Sequence, residues 1–109
     1  MDPGDAKKLL NEELMALDLE DTLGADDQKT VTLDQQSVGR LSRMDAMQRQ
    51  AMAQATARRR AGRRLRIIAA LKRIDDGEFG YCQDCGEDIA PGRIAQDPAV
   101  SLCLSCAKG

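Results

Sequence analysis

The chain has 109 residues, four cysteines, no histidine, and a single phenylalanine and tyrosine, so it is one small domain, alone or with an extension, without the aromatics for a large core. The missing histidine removes the commonest general base, and no apolar run approaches the roughly 20 residues that span a bilayer. A net charge of −2 conceals a basic block between two acidic ones: residues 1–38 hold ten acids and three lysines, residues 39–74 eleven bases against Asp45 alone, and residues 75–109 seven acids and two bases.

From Ala6 to Leu23, the apolar residues Leu9, Leu10, Leu14 and Leu17 recur at helical spacing among Lys7, Lys8, Glu12 and Glu13. This predicts an amphipathic helix over 6–23, with Asp5 as its N-cap and Gly24 as its stop. Residues 25–36 lose that pattern, and the alternating Thr30-Val31-Thr32-Leu33 reads as an extended connector. Asp34 or Ser37 can cap the next element. From Arg40 to Asp76 there is no proline and only one glycine, Gly62, while alanine, arginine, leucine and methionine dominate; the spacing predicts one long helix over 40–76.

Two faces of that helix are expected to pack differently. Met44, Met47, Ala51 and Ala55 form a slim stripe in its first half, and Leu65, Ile67, Ile68, Leu71 and Ile74 form a wider apolar face in its second. A helix of that length spans roughly 55 Å, about twice the reach of the first helix. The expected architecture over residues 1–77 is therefore a helical hairpin or coiled coil: a short helix and an extended connector going out, one long helix coming back, and a tip near residues 37–45. The wide face should pack on Leu10, Leu14 and Leu17, and the slim stripe on Val31 and Leu33.

Asp75-Asp76-Gly77 ends the long helix, because glycine readily leaves the helical region. Residues 78–109 form a second module, entered through Phe79 and Tyr81, which should pack it against the helix end. Ile89, Ile94 and Leu102 can form a small core, with turns at Pro91-Gly92 and Asp97-Pro98.

All four cysteines lie in this module as two hooks, Cys82-Gln83-Asp84-Cys85 and Cys103-Leu104-Ser105-Cys106, at C-x2-C-x17-C-x2-C spacing. Each hook turns two sulfurs to one side of a loop, and two hooks close a tetrahedron around one Zn2+. Four thiolates leave no coordination position for water or substrate, so the metal is structural and no enzyme activity is expected. Zinc would supply stability that a small core does not. Gly86 lets backbone amides approach the sulfurs. Two disulfides are the competing reading, but they belong to secreted chains, and the N-terminus lacks a charged segment followed by an apolar one; the expected location is cytoplasmic. A redox C-x2-C pair would be expected beside strand–helix–strand alternation, which is not visible.

The stretch Gly77-Glu78-Phe79-Gly80-Tyr81-Cys82-Gln83-Asp84-Cys85-Gly86, continuing through Ile89, Arg93-Ile94-Ala95, Pro98 and Cys103-Leu104-Ser105-Cys106, resembles the DksA/TraR family of C4 zinc-finger proteins, in its short DksA-like branch. The resemblance is dense from about Leu65 to Cys106; before that it is one of architecture. It implies a regulator of transcription that binds bacterial RNA polymerase directly, inserting the hairpin tip into the secondary channel, with ppGpp as a co-regulator. A monomer is implied, and direct binding to promoter DNA is not expected.

One departure concerns the tip. Well-known members carry D-x-x-D-x-A there, whereas counting back from Cys82 places Gly39, Ser42 and Met44 at those positions. Asp45-Ala46 is the nearest substitute, and Arg40, Ser42, Arg43 and Asp45 are the candidate partner-binding residues. Flexible methionines among them suit a contact surface, although Leu41, Met44 and Met47 could equally close the hairpin's apolar layer.

The run Arg58-Arg59-Arg60 with Arg63, Arg64 and Arg66 supports an alternative, a zinc-ribbon nucleic-acid binder using the basic block 39–74. Six arginines spread around a helix do not make one groove-reading face. The blander expectation is that several pair with Glu13, Asp18, Glu20 and Asp21 while the rest are solvated.

Overall fold

The computed structural model describes residues 1–28 and 40–108, apart from the side chains of residues 25–28 and 40–42. It is mainly helical, with α1 over Pro3–Gln28, α2 over Arg40–Asp75, α3 over Pro91–Gln96 and α4 over Leu104–Lys108. Among the described residues there is no strand, only an isolated antiparallel bridge between Tyr81 and Asp88. None of the described helices is long and apolar enough to cross a membrane. Two compact units emerge, Met1–Met15 with Arg64–Gly109, and Ala16–Arg63.

In the first unit, the start of α1 lies beside the end of α2. Pro3 occupies the first helical position, where its missing N–H is not needed. The Asp2 carboxylate accepts from the Asp5 amide at 2.9 Å, so the N-cap is Asp2 and not Asp5 as the sequence suggests. The reason is Pro3 itself, which favours helix initiation three residues earlier. Ala6 and Leu10 from α1 are buried, as are Ile67 and Ala70 from α2. Lys7 Nζ meets Asp75 Oδ1 at 3.2 Å over half-exposed side chains, which contributes little. The wide apolar face is thus only partly used: Ile67 is enclosed, Leu71 and Ile74 are half-buried, and Leu65 and Ile68 face solvent.

Where α2 ends, the Glu78 amide donates to Arg73 O at 2.8 Å and the Gly77 amide to Ile74 O at 3.2 Å. With Gly77 at φ 77°, these two bonds form a Schellman motif that satisfies the last carbonyls and turns the chain into the cysteine module.

In the second unit, the rest of α1 lies beside the first part of α2, and Arg60 Nε meets Asp21 Oδ1 at 2.6 Å between largely covered side chains. Helix α1 runs through Gly24 to Gln28. It is therefore longer than the expected 6–23, because a mid-helix glycine costs only about 1 kcal/mol, which helix-competent neighbours can absorb. The connector expected from residue 25 cannot begin before 29, and its remainder, with Val31, Leu33, Asp34, Ser37 and Gly39, lies outside the described residues.

Within this unit the face of α2 turned inward is Arg43, Ala46, Gln50, Ala53, Ala57 and Arg60, all half-buried. Their alternating spacing of three and four is the heptad seam of a two-helix contact. The methionine stripe expected inside is instead outside: Met44 and Met47 are 52% and 57% exposed, and Ala51 is exposed. Only Ala55 of that stripe is half-covered.

Candidate metal centre

The hook around Cys82 and Cys85 is shaped by backbone bonds that need no side chain. The Cys82 amide donates to Glu87 O at 2.7 Å and the Gly86 amide to Cys82 O at 2.9 Å, closing the loop on itself. Gly86 sits at φ 77°, where an L side chain would be strained. The second hook starts α4, so Cys103 and Cys106 fall three residues apart on one helical turn, with Ala107 N bonded to Cys103 O at 2.9 Å. The Gln83 amide donates to Ser101 O at 2.8 Å, which joins the first hook to the segment leading into the second.

These constraints bring the Sγ atoms of Cys82, Cys85, Cys103 and Cys106 all within 4.8 Å of one another. Cys85 Sγ and Cys103 Sγ are 3.7 Å apart. A tetrahedron with Zn–S bonds of about 2.3 Å has edges of about 3.8 Å, so the spacing fits zinc, and no S–S bond joins these free cysteines. One structural Zn2+ is the cofactor this donor set is built to hold.

The electrostatics point the same way. The Cys82 thiol is pulled down to about 6, first by the Cys85 amide, with the Cys103 and Asp84 amides adding to it. Asp84 N lies 3.4 Å from Cys82 Sγ, the kind of amide support that metal thiolates receive. Cys106 is pushed up, first by its bond to the Cys103 thiol and then by Cys82 and Cys85. One thiolate is favoured by amides and the next is opposed by its neighbours; a divalent cation at the centre lifts that opposition.

A small apolar core backs the site. Cys82, Ile89 and Ile94 are buried together, with Phe79, Val100 and Leu102 packed against them. Pro91 starts α3, which carries Ile94 into this core. Tyr81 does not join Phe79 as expected: it is 48% exposed, and Gly80 between the two sits at φ 91°, which breaks the extended run that would put both on one face. Two arginines that the spacing of ligands could not reveal fix the module's backbone. Arg93 Nη2 donates to Leu102 O at 3.1 Å, beside the second hook. Arg73 Nη2 reaches Ala99 O at 3.3 Å, tying the module to the last turns of α2. Burial lowers the Arg73 pKa, while the charge of Glu78 opposes that shift.

Of the candidate partner-binding residues, Arg43 is half-buried on the seam side of α2 and Asp45 is exposed. Arg40 and Ser42 belong to the first turn of α2, but their side chains lie outside the described residues.

Residues 77–109 match the family model of the prokaryotic DksA/TraR C4-type zinc finger. Over 41 residues the chain is 44% identical to the RNA polymerase-binding transcription factor DksA of Haemophilus influenzae, covering 38% of this chain and 28% of that protein. Identity to the protein of the same name from Escherichia coli K12 is 39% over 41 residues, covering 38% and 27%. The matched stretch thus spans little more than a quarter of these relatives' lengths. The fold is similar to that of transcription factor DksA2 from Pseudomonas aeruginosa, with a TM-score of 0.77 and 18% identity over 97% of this chain and 80% of that one. Its C-terminal module, residues 77–109, is a DksA/TraR C4-type zinc finger.

Proposed function

We propose that this chain is a non-enzymatic regulator of transcription that binds bacterial RNA polymerase directly in the cytoplasm, acting as a monomer. The observation that carries the reading is the C4 finger. It gathers four sulfurs within 4.8 Å of one another, and the stretch that includes it is 44% identical over 41 residues to a relative named as an RNA polymerase-binding transcription factor. The likeness of fold to DksA2 extends over nearly the whole chain and supplies the helical arm that a secondary-channel regulator needs. In this reading zinc holds the foot of the arm, and the start of α2 with Arg40, Ser42, Arg43 and Asp45 is the effector end. The absence of D-x-x-D-x-A makes Asp45, the one acid between 39 and 74, the carboxylate to test, and ppGpp the co-regulator to test with it.

The nucleic-acid alternative is weakened by where the arginines go. Arg60 is committed to Asp21 and is half-buried while Arg58 and Arg59 are exposed, so the run does not present one continuous cationic face.

The experiment is a pull-down with purified polymerase in the absence of promoter DNA, followed by transcription from a stable-RNA promoter with and without ppGpp. Wild type should bind and alter transcript yield. Asp45→Ala should bind but lose most of the effect. Failure of wild type in both assays would overturn the reading.

A further inference from the structure

Within the second unit, α2 carries a further heptad stripe beside the half-buried one. Met44, Met47, Ala51, Gln54, Arg58 and Ala61 repeat the alternating spacing of three and four, one residue on from Arg43, Ala46, Gln50, Ala53, Ala57 and Arg60. One residue is a rotation of about 100° on a helix. The inner stripe is half-buried throughout; every member of the outer stripe is exposed. The cover is also lopsided. Of Arg49, Thr56 and Arg63, which flank the seam on one side, the last two are half-buried, whereas Met47, Gln54 and Ala61 on the other side are all open.

The open flank has a shape. Gln54, Ala57, Arg58 and Ala61 line an open concavity of about 360 Å³. These four residues stand at i, i+3, i+4 and i+7, the set that forms the hole for one knob in helix-to-helix packing. Two of the four are alanines, which leave the floor low, and Met44 and Met47 at the far end are the flexible side chains that mould to an incoming surface.

Charge selects the occupant. The exposed charges of this segment are Arg49, Arg58 and Arg59 against Asp45. A second α2 in parallel would set cation against cation, and in antiparallel it would offer one Asp45 against Arg58 and Arg59 at each end and none against Arg49, while a phosphate backbone would meet a stripe that is four-sixths methionine and alanine. We propose that the Met44–Ala61 stripe is a docking site for an acidic amphipathic helix of a partner protein. A leucine or phenylalanine of that helix would enter the hole between Ala57 and Ala61, with a carboxylate opposite Arg58. The inference goes beyond the polymerase reading and does not require that the partner be polymerase.

The test uses the full zinc-loaded chain and two synthetic amphipathic peptides of about three heptads, identical except that their flanking positions are glutamate in one and lysine in the other. Binding is followed by fluorescence anisotropy, and the contact surface by the methionine methyl and backbone amide signals. The glutamate peptide should bind, shift the signals of Met44, Met47 and Ala61, and weaken as salt rises; the lysine peptide should not bind. Ala61→Glu, which fills the hole and adds a like charge, should weaken binding by about tenfold or more. Met47→Glu, on an exposed position, should act in the same direction, with helicity and zinc content unchanged in both. Equal binding of the two peptides, no binding of either, insensitivity to both substitutions, or shifts confined to the cysteine module would overturn the proposal. So would displacement of the peptide by a DNA duplex, or self-association of the protein through this stripe. Because the peptides contain no polymerase, a negative result leaves the transcription assay to be judged separately.

Discussion

The two units use the same pair of helices and the same heptad spacing, yet they are held by different forces. In the unit that includes the finger, the helix contact is apolar: Leu10 and Ile67 are fully enclosed, and Ala6 and Ala70 lie with them. In the other, Leu17 is the only buried residue among those described, and the seam consists of Ala46, Ala53 and Ala57 alternating with Arg43, Gln50 and Arg60. The first contact encloses long aliphatic side chains, whereas the second covers mostly alanine and carries the Arg60–Asp21 pair. The difference teaches that heptad spacing specifies where helices touch but not how strongly. Local opening should begin in Ala16–Arg63.

Removing zinc should have the largest effect on this contrast. The finger has three buried residues in its core cluster, one of them the ligand Cys82, so a strong chelator or Cys106→Ser should unfold residues 78–108. Dispersion of the Ile89 and Ile94 signals should collapse with release of one equivalent of metal, while the helix contact of Ala16–Arg63 persists. A finger that keeps its dispersed spectrum without metal would contradict this.

Next in size is the contrast between the two helix contacts. Ile67→Ala removes buried hydrocarbon where nothing can refill it and should cost about 2–4 kcal/mol in denaturant unfolding. Asp21→Ala should cost less, about 1 kcal/mol, since the pair is partly exposed. That loss should shrink with added salt, and replacing both Asp21 and Arg60 by leucine should recover it. An Asp21 effect as large as that of Ile67, or one indifferent to salt, would remove the distinction between the units.

The smallest effect is at the N-terminus. The Asp5 amide holds the Asp2 carboxyl below its ordinary value. A group lowered on folding contributes stability above its unfolded pKa and loses it as pH falls through the folded one. Protection of the first-turn amides of α1, taken relative to the intrinsic exchange rate at each pH, should therefore fall as pH drops below about 4. Asp2→Asn, which caps without titrating, should abolish that pH dependence.

Much of this was legible in the residues, and the misses have causes. The end of α2 could be read because Gly77 follows a long helix-forming run, and backbone geometry alone then dictates the outcome. Gly24 misled because a single glycine marks a possible stop and not a required one. The inner face of α2 was misassigned for a related reason. Its first half carries two heptad stripes one residue apart, and ranking by hydrophobicity chooses the one with Met44 and Met47. The half-buried stripe contains three polar residues, whose long stems bury carbon, and the head of one of them, Arg60, finds Asp21.

By itself the sequence determined the four-cysteine site, since ligand spacing is a local property and sulfur chemistry leaves few alternatives. It likewise determined that a long helix precedes that site, from composition and the lack of breakers. Only the tertiary structure decided which side of that helix is covered, that Arg73 and Arg93 bind the carbonyls of Ala99 and Leu102, and that Tyr81 is turned outward. Those outcomes depend on the position of a second element, and one helix's periodicity holds no information about its neighbour's position.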